Sequence, residues 1–127
     1  LISPVIPGLT DQEIEKLLEA ASRAGARTAA WMLLRLPYEV APLFEAWLEA
    51  HYPERAAKVM SLMRQCRGGK AYDAKFGKRF RGEGVFADLI AQRFARASRQ
   101  WNMQDRTEQG LNTRDFRPPR AQGDLFL

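Results

Sequence analysis

The sequence predicts an α/β chain, mainly helical, with about two parallel strands, about four helices and an extended tail. Three observations carry this prediction. Two apolar runs, residues 1–6 and 28–36, bracket a stretch that has helix-start and helix-stop signals. The second run, TAAWMLLRL, is apolar at consecutive positions. That pattern suits a parallel strand covered by helices on both faces rather than a half-solvated antiparallel one. Beyond residue 36, apolar side chains recur at three- and four-residue spacing in three further stretches.

Residues 1–6 end in Pro7-Gly8, which closes a short strand with a turn, and Pro4 inside the run places that strand at an edge or makes it very short. Thr10-Asp11-Gln12-Glu13 spells a capping box, with the Thr10 hydroxyl accepting from the Glu13 amide and the Glu13 side chain reaching back. Ile14, Leu17, Leu18 and Ala21 form the inner stripe of the helix that follows, and Gly25 supplies its left-handed stop. Strand, capped helix, strand is a βαβ unit, for which a right-handed crossover is expected. Pro37 ends the second strand. Pro42 falls in the first turn of a second helix with Leu43, Phe44, Trp47, Leu48 and His51 inward. His51, the single histidine, reads as a helix-end group rather than a ligand. Pro53 opens a third helix with Ala56, Val59, Met60 and Met63 inward, and Gly68-Gly69 breaks it. A fourth helix carries Phe86, Leu89, Ile90, Phe94, Ala97 and Trp101 on one face, with Arg93, Arg96 and Arg99 on or beside the outer one. From Asn102 the periodicity is lost, and the stretch through Arg117-Pro118-Pro119-Arg120 reads as extended. The chain therefore divides into residues 1–69, 70–101 and 102–127.

At 127 residues there is room for one domain with a modest core. The formal charge of +5 is unevenly spread: residues 1–63 carry a net −2 and residues 64–127 a net +7. Such a split points to a partner bearing phosphates, with a solvated basic face as the alternative. One cysteine, Cys66, allows no internal disulfide and no cysteine metal set, which fits a reducing, cytoplasmic setting. No apolar run is long enough to span a bilayer, and no signal peptide is visible. The sequence opens at Leu1 rather than Met, inside an expected strand, and is read as a fragment of a longer protein.

The densest feature is residues 64–84, RQCRGGKAYDAKFGKRFRGEG. It holds seven basic residues against two acids, five glycines, and Tyr72, Phe76 and Phe80 at every fourth position. Lysine and arginine neutralise phosphates, and aromatic faces stack on exposed bases. Lys70, Lys75, Lys78, Arg79 and Arg81 are the candidate contacts to nucleic acid. Two readings of the aromatics stand: stacking platforms, or anchors that pin a glycine-rich segment onto the core. No nucleophile–histidine pair, phosphate-binding loop, zinc spacing or buried carboxylate pair is present in the sequence, so no catalytic residue is assigned.

The succession PVIPGLTD (residues 4–11), Ala24-Gly25-Ala26, Leu33-Leu34-Arg35-Leu36-Pro37, Arg67-Gly68-Gly69, Phe76-Gly77 and Arg81-Gly82 resembles the C-terminal portion of one family. That family is the bacterial radical SAM proteins related to spore photoproduct lyase, described as DNA repair photolyase-like, and the resemblance covers nearly the whole chain in order. It implies that residues 1–69 are the late βα units of a partial (β/α) barrel, followed by a basic segment and a C-terminal helix. It implies S-adenosylmethionine and a 4Fe–4S cluster as cofactors of the full-length protein, the cluster held by a Cys-x-x-x-Cys-x-x-Cys loop that is absent here and that Cys66 alone does not replace. The fragment by itself is then expected to bind neither and to be inactive. Ile6, Pro7 and Gly8 match the turn that packs against the adenine of the cofactor. Arg35 lies at the C-terminal end of the next strand, the face where barrel active sites sit, as a substrate contact or a structural ion pair. In the tail, Gln122-Gly123-Asp124-Leu125-Phe126 resembles the peptide by which bacterial polymerases and repair proteins dock on the DNA sliding clamp, through Gln122, Leu125 and Phe126. A terminal apolar cluster folded back on the domain is the alternative. The function expected is thus the C-terminal part of a radical SAM enzyme acting on nucleic acid; the second reading is a non-catalytic nucleic-acid-binding or clamp-docking domain.

Overall fold

A computed structural model describes residues 1–70, 78–105 and 113–117, and the side chains of all of these except residues 78, 79, 104 and 105. The chain is mixed α/β and mostly helical. β1 (Ile2–Val5) is followed by a single 3₁₀ turn (Asp11–Glu13) and α1 (Ile14–Arg23). Then come β2 (Thr28–Ala29), β3 (Trp31–Leu33), α2 (Val40–His51) and α3 (Pro53–Gln65). A one-turn helix, α4 (Lys78–Arg81), precedes α5 (Val85–Gln100) and β4 (Gln104–Asp105).

The expected second strand, residues 28–36, forms as two short pieces on either side of Ala30. β3 pairs in parallel with β1, Ile2 opposite Trp31 and Val5 opposite Leu33, with a register irregularity between. The Ala30 carbonyl accepts from the Ile2 amide at 2.8 Å, so the break leaves that backbone group satisfied. β2 pairs in parallel with β4. The tail therefore does not begin as a free extended linker: the Met103 amide donates to the Ser98 carbonyl at 2.8 Å, and the next two residues join the sheet edge.

Alternation along the strand separates two cores, because successive side chains leave opposite faces. Val5, Ala29, Trp31 and Leu33 pack with Ile14 and Leu18 of α1 and with Ala87, Ile90, Phe94 and Ala97 of α5. Leu36, with Ile6 and Leu34 beside it, packs with Leu48 of α2 and Ala56, Val59, Met60 and Met63 of α3. The helix-covered parallel strand expected from TAAWMLLRL is what forms, and the inner stripe expected for α3 is buried throughout. Gly25 ends α1 at φ 91°, as expected.

Several side chains fall elsewhere than their spacing predicts. Leu17 and Leu89 lie on the shoulders of their stripes and are exposed. On α2 only Leu48 is fully buried, while Leu43 is 67% and Trp47 40% exposed. This helix is apolar over more of its circumference than α3 and the strand can cover. Trp47 instead stacks with Phe44 (centroids 5.8 Å apart) and with His51 (5.2 Å) along the outside of the helix. His51 ends α2, and its Nδ1 lies 2.9 Å from the Trp47 carbonyl, the helix-end role expected of it.

The capping box does not form. Thr10 has helical backbone angles, and its side chain caps nothing in the helix. Its hydroxyl is drawn back to the preceding turn, where it accepts from the Ile6 amide at 2.9 Å.

Candidate functional site

The C-terminal ends of β1 and β3 lie side by side, tied by the Leu34 amide donating to the Val5 carbonyl at 2.9 Å. Two groups of residues with expected functional roles follow these strand ends.

After β1 the chain turns through Ile6, Pro7 and Gly8. The Ile6 carbonyl accepts from the amides of Leu9, Thr10 and Asp11, at 3.1, 2.9 and 3.3 Å. The Gly8 amide donates to Asp11 Oδ1 at 2.7 Å. With Ile6 N–H taken by Thr10 and Pro7 having no N–H, the donors of the turn are all consumed internally. The Pro7 side chain is fully buried, while Ile6 and Gly8 are half-buried. What this turn can offer a ligand is therefore the carbonyl oxygens of Pro7 and Gly8 and a small apolar surface.

Asp11 is only 8% exposed, and a buried carboxylate needs a partner. The partner comes from α5. Arg93 Nη1 donates to Asp11 Oδ2 at 3.0 Å, and Nη2 donates to the Asp11 carbonyl at 2.9 Å. The same guanidinium clasps Glu15 of α1 in a two-pronged pair, Nε to Oε1 and Nη2 to Oε2, both 2.8 Å. Arg93 hydrogen-bonds hold the Glu15 carboxyl below its ordinary value, against the opposing effect of partial burial. Glu15 in turn raises the Arg93 guanidinium further. Arg93, expected on or beside the outer face of α5, is thus half-buried and central; a periodicity that marks only apolar positions assigns every arginine to the solvent side.

After β3 come Leu34, Arg35 and Leu36. The Leu34 carbonyl accepts from Arg67 Nη2 at 2.9 Å. Arg67, in the turn that follows α3, is 1% exposed. In the sequence it is one of seven basic residues, with nothing to distinguish it. Burial of this cation is made tolerable by the carbonyls that collect where a strand leaves its ladder. The Arg35 guanidinium lies over the Phe80 ring, 5.5 Å from its centroid, and Arg81 over the Trp31 ring at 4.8 Å. α4 is thereby held against β3 by two cation–π contacts of opposite polarity, one cation from the strand side and one from the helix. Phe80 acts as an anchor. Gly82 comes next, and Glu83 donates its amide to the Cys66 carbonyl at 2.9 Å, which fastens the end of the basic segment to the end of α3.

Of the candidate nucleic-acid contacts, Lys70 is exposed, and Arg35 and Arg81 are partly buried against aromatic rings. Lys78 and Arg79 belong to α4, but their side chains, and Lys75 with Tyr72 and Phe76, lie outside the described residues, as do Gln122, Leu125 and Phe126.

Cys66 is completely buried, and burial pushes its thiol up, with Arg67 opposing and Asp11 adding to the shift. Enclosed in this way, it presents no open face to a cluster. Among the described residues no three histidine, cysteine or carboxylate side chains are grouped for a metal ion, and no helix is long and apolar enough to cross a membrane.

No family model, curated protein or solved structure matches the chain.

Proposed function

We propose that the chain is the C-terminal part of a radical SAM enzyme of the spore photoproduct lyase-like type, acting on nucleic acid. The observation that carries the reading is the parallel β1–β3 pair, at whose C-terminal edge the Ile6-Pro7-Gly8 turn and Arg35 stand next to each other. Ligand sites of parallel α/β folds gather at that edge. Ile6 and Gly8 would border the adenine of S-adenosylmethionine. A carbonyl of the turn would suit an exocyclic amine, which is a donor. When bound in the full-length protein, the 4Fe–4S cluster would supply the electron that cleaves the cofactor; its cysteines belong to another part of that protein, since Cys66 is unsuited.

The basic segment contributes phosphate contacts beside this edge. Lys70 is solvent-facing, and α4 delivers Lys78 and Arg79 next to the anchored Phe80 and Arg81. Arg35 and Arg81, each stacked on a ring, stand beside this surface. The tail, through Gln122, Leu125 and Phe126, is assigned to docking on the sliding clamp.

The reading frame upstream of Leu1 is the first test: it should encode Cys-x-x-x-Cys-x-x-Cys, and its absence there overturns the enzyme reading. A non-catalytic nucleic-acid-binding domain, in which the basic segment is the whole function, is what would then remain. For the nucleic-acid part, binding to single-stranded and duplex oligonucleotides should fall steeply with salt, with a slope that drops by about one per phosphate contact removed. Replacing Lys75, Lys78, Arg79 and Arg81 together by alanine should remove most of the binding. Unchanged affinity and slope in that variant would refute the assignment.

A further inference from the structure

We infer that Arg93 is a positioning residue for the turn after β1: it holds Asp11, and through Asp11 the Gly8 amide, in place. The inference deepens the functional reading and rests on it only where a ligand at the turn is concerned.

Five residues, 6–10, separate the end of β1 from the 3₁₀ turn, and no strand ladder restrains them. Besides the amides gathered on the Ile6 carbonyl, two side chains hold them: Thr10 takes the Ile6 amide and Asp11 the Gly8 amide. Thr10 is local and needs no help. Asp11 is different, because its carboxyl is withdrawn from water and a buried polar group is costly without a partner. Arg93 supplies that partner from 82 residues away and also takes the Asp11 carbonyl, so it fixes both the side chain and the backbone of the same residue. The remaining edge of the guanidinium is occupied by Glu15. Nε serves Glu15 alone and Nη1 serves Asp11 alone, while Nη2 is shared between the two. The Glu15 arm joins α1 to α5, and the Asp11 arm joins α5 to the turn.

This division gives a test that a simple helix–helix clamp would not pass. Hydrogen exchange of the Gly8 amide is followed by NMR in the whole chain, with the Ile90 amide in the core of α5 as the reference for global opening. In Arg93→Lys, which keeps the charge but not the forked geometry, Gly8 exchange relative to Ile90 should rise about tenfold, the loss of a charge-assisted hydrogen bond. In Glu15→Gln the ratio should stay within about twofold of wild type, since only the α1 arm is weakened. An unchanged ratio in Arg93→Lys, or an equal rise in both variants, overturns the inference. Asp11→Asn guards against a misfolded Arg93 variant: it keeps an acceptor for Gly8 but loses the ion pair, and should also raise the ratio, whereas no rise overturns the inference. The exchange ratios decide the role of Arg93 by themselves.

Discussion

Gly82→Ala should be among the more damaging single substitutions in this chain, although it adds only a methyl group at a half-buried loop position. Gly82 has φ 74°. A side chain there costs roughly 1–2 kcal/mol through the clash of Cβ with the following carbonyl. The new methyl carbon would also sit 2.8 Å from the Cys66 carbonyl oxygen and 3.0 Å from Leu33 Cδ2. The first of these is backbone and cannot rotate away, and overpacking of this kind costs about 1–3 kcal/mol more. Relief by backward movement would stretch the 2.9 Å bond from the Glu83 amide to the same Cys66 oxygen. Together the destabilisation should be about 2–5 kcal/mol. Gly25→Ala is the matched control: its φ is 91°, and an added Cβ meets nothing within 4 Å. It should lose only the conformational part, about 1–2 kcal/mol. Urea denaturation of the two variants, with equal m-values, measures the difference directly. Equal midpoints for Gly82→Ala and Gly25→Ala would refute the close approach of residue 82 to the end of α3, and with it the fastening of the basic segment described above.

The Glu15–Arg93 pair predicts a pH signature. Because the folded carboxyl lies below its ordinary value, its stabilisation is present above the unfolded pKa and lost as pH falls through the folded one. The stability gap between wild type and Glu15→Gln should be full at neutral pH and close below about pH 4, and a gap constant from pH 7 to 3 would contradict the pairing. Cys66, buried and with its thiol raised, should react with iodoacetamide at least about 100-fold more slowly in the native chain than in urea at pH 8; comparable rates would show that it is accessible. Deleting Leu125, Phe126 and Leu127 should abolish capture of the chain on immobilised sliding clamp; capture that persists, or is absent in wild type, removes the docking assignment.

Much of the fold was legible because burial writes a period into the sequence. Ala56, Val59, Met60 and Met63 recur as a helix requires, and all four are buried. TAAWMLLRL announces a buried strand, and Ala29, Trp31 and Leu33 do enter one core while Leu34 and Leu36, just beyond β3, enter the other. Proline and glycine marked helix boundaries for equally local reasons, as at Pro53 and Gly25. Legibility failed where a side chain had a choice of partners. Thr10 and Glu13 have the spacing of a capping box, yet the Ile6 amide competes for the Thr10 hydroxyl and takes it. Leu43 and Trp47 have the spacing of a buried stripe, but among the described residues they are left exposed. Among the residues with candidate roles, Arg35, Arg81 and the Ile6-Pro7-Gly8 turn could be named from motifs, whereas Arg67, Asp11 and Arg93 could not. Their partners lie 33 and 82 residues distant, and one sequence carries no record of such pairings.

The sequence by itself determined the class of this protein: parallel strands between helices and a basic second half, since both follow from local composition and spacing. Tertiary structure decided which cations are working parts of the architecture and which face solvent. Arg67 and Arg93 are drawn inward by carbonyls and carboxylates left unpaired where strands end and turns begin, and Lys70 is left outside. An arginine's role depends on which acceptors the fold brings within reach, and that is settled only when distant segments meet.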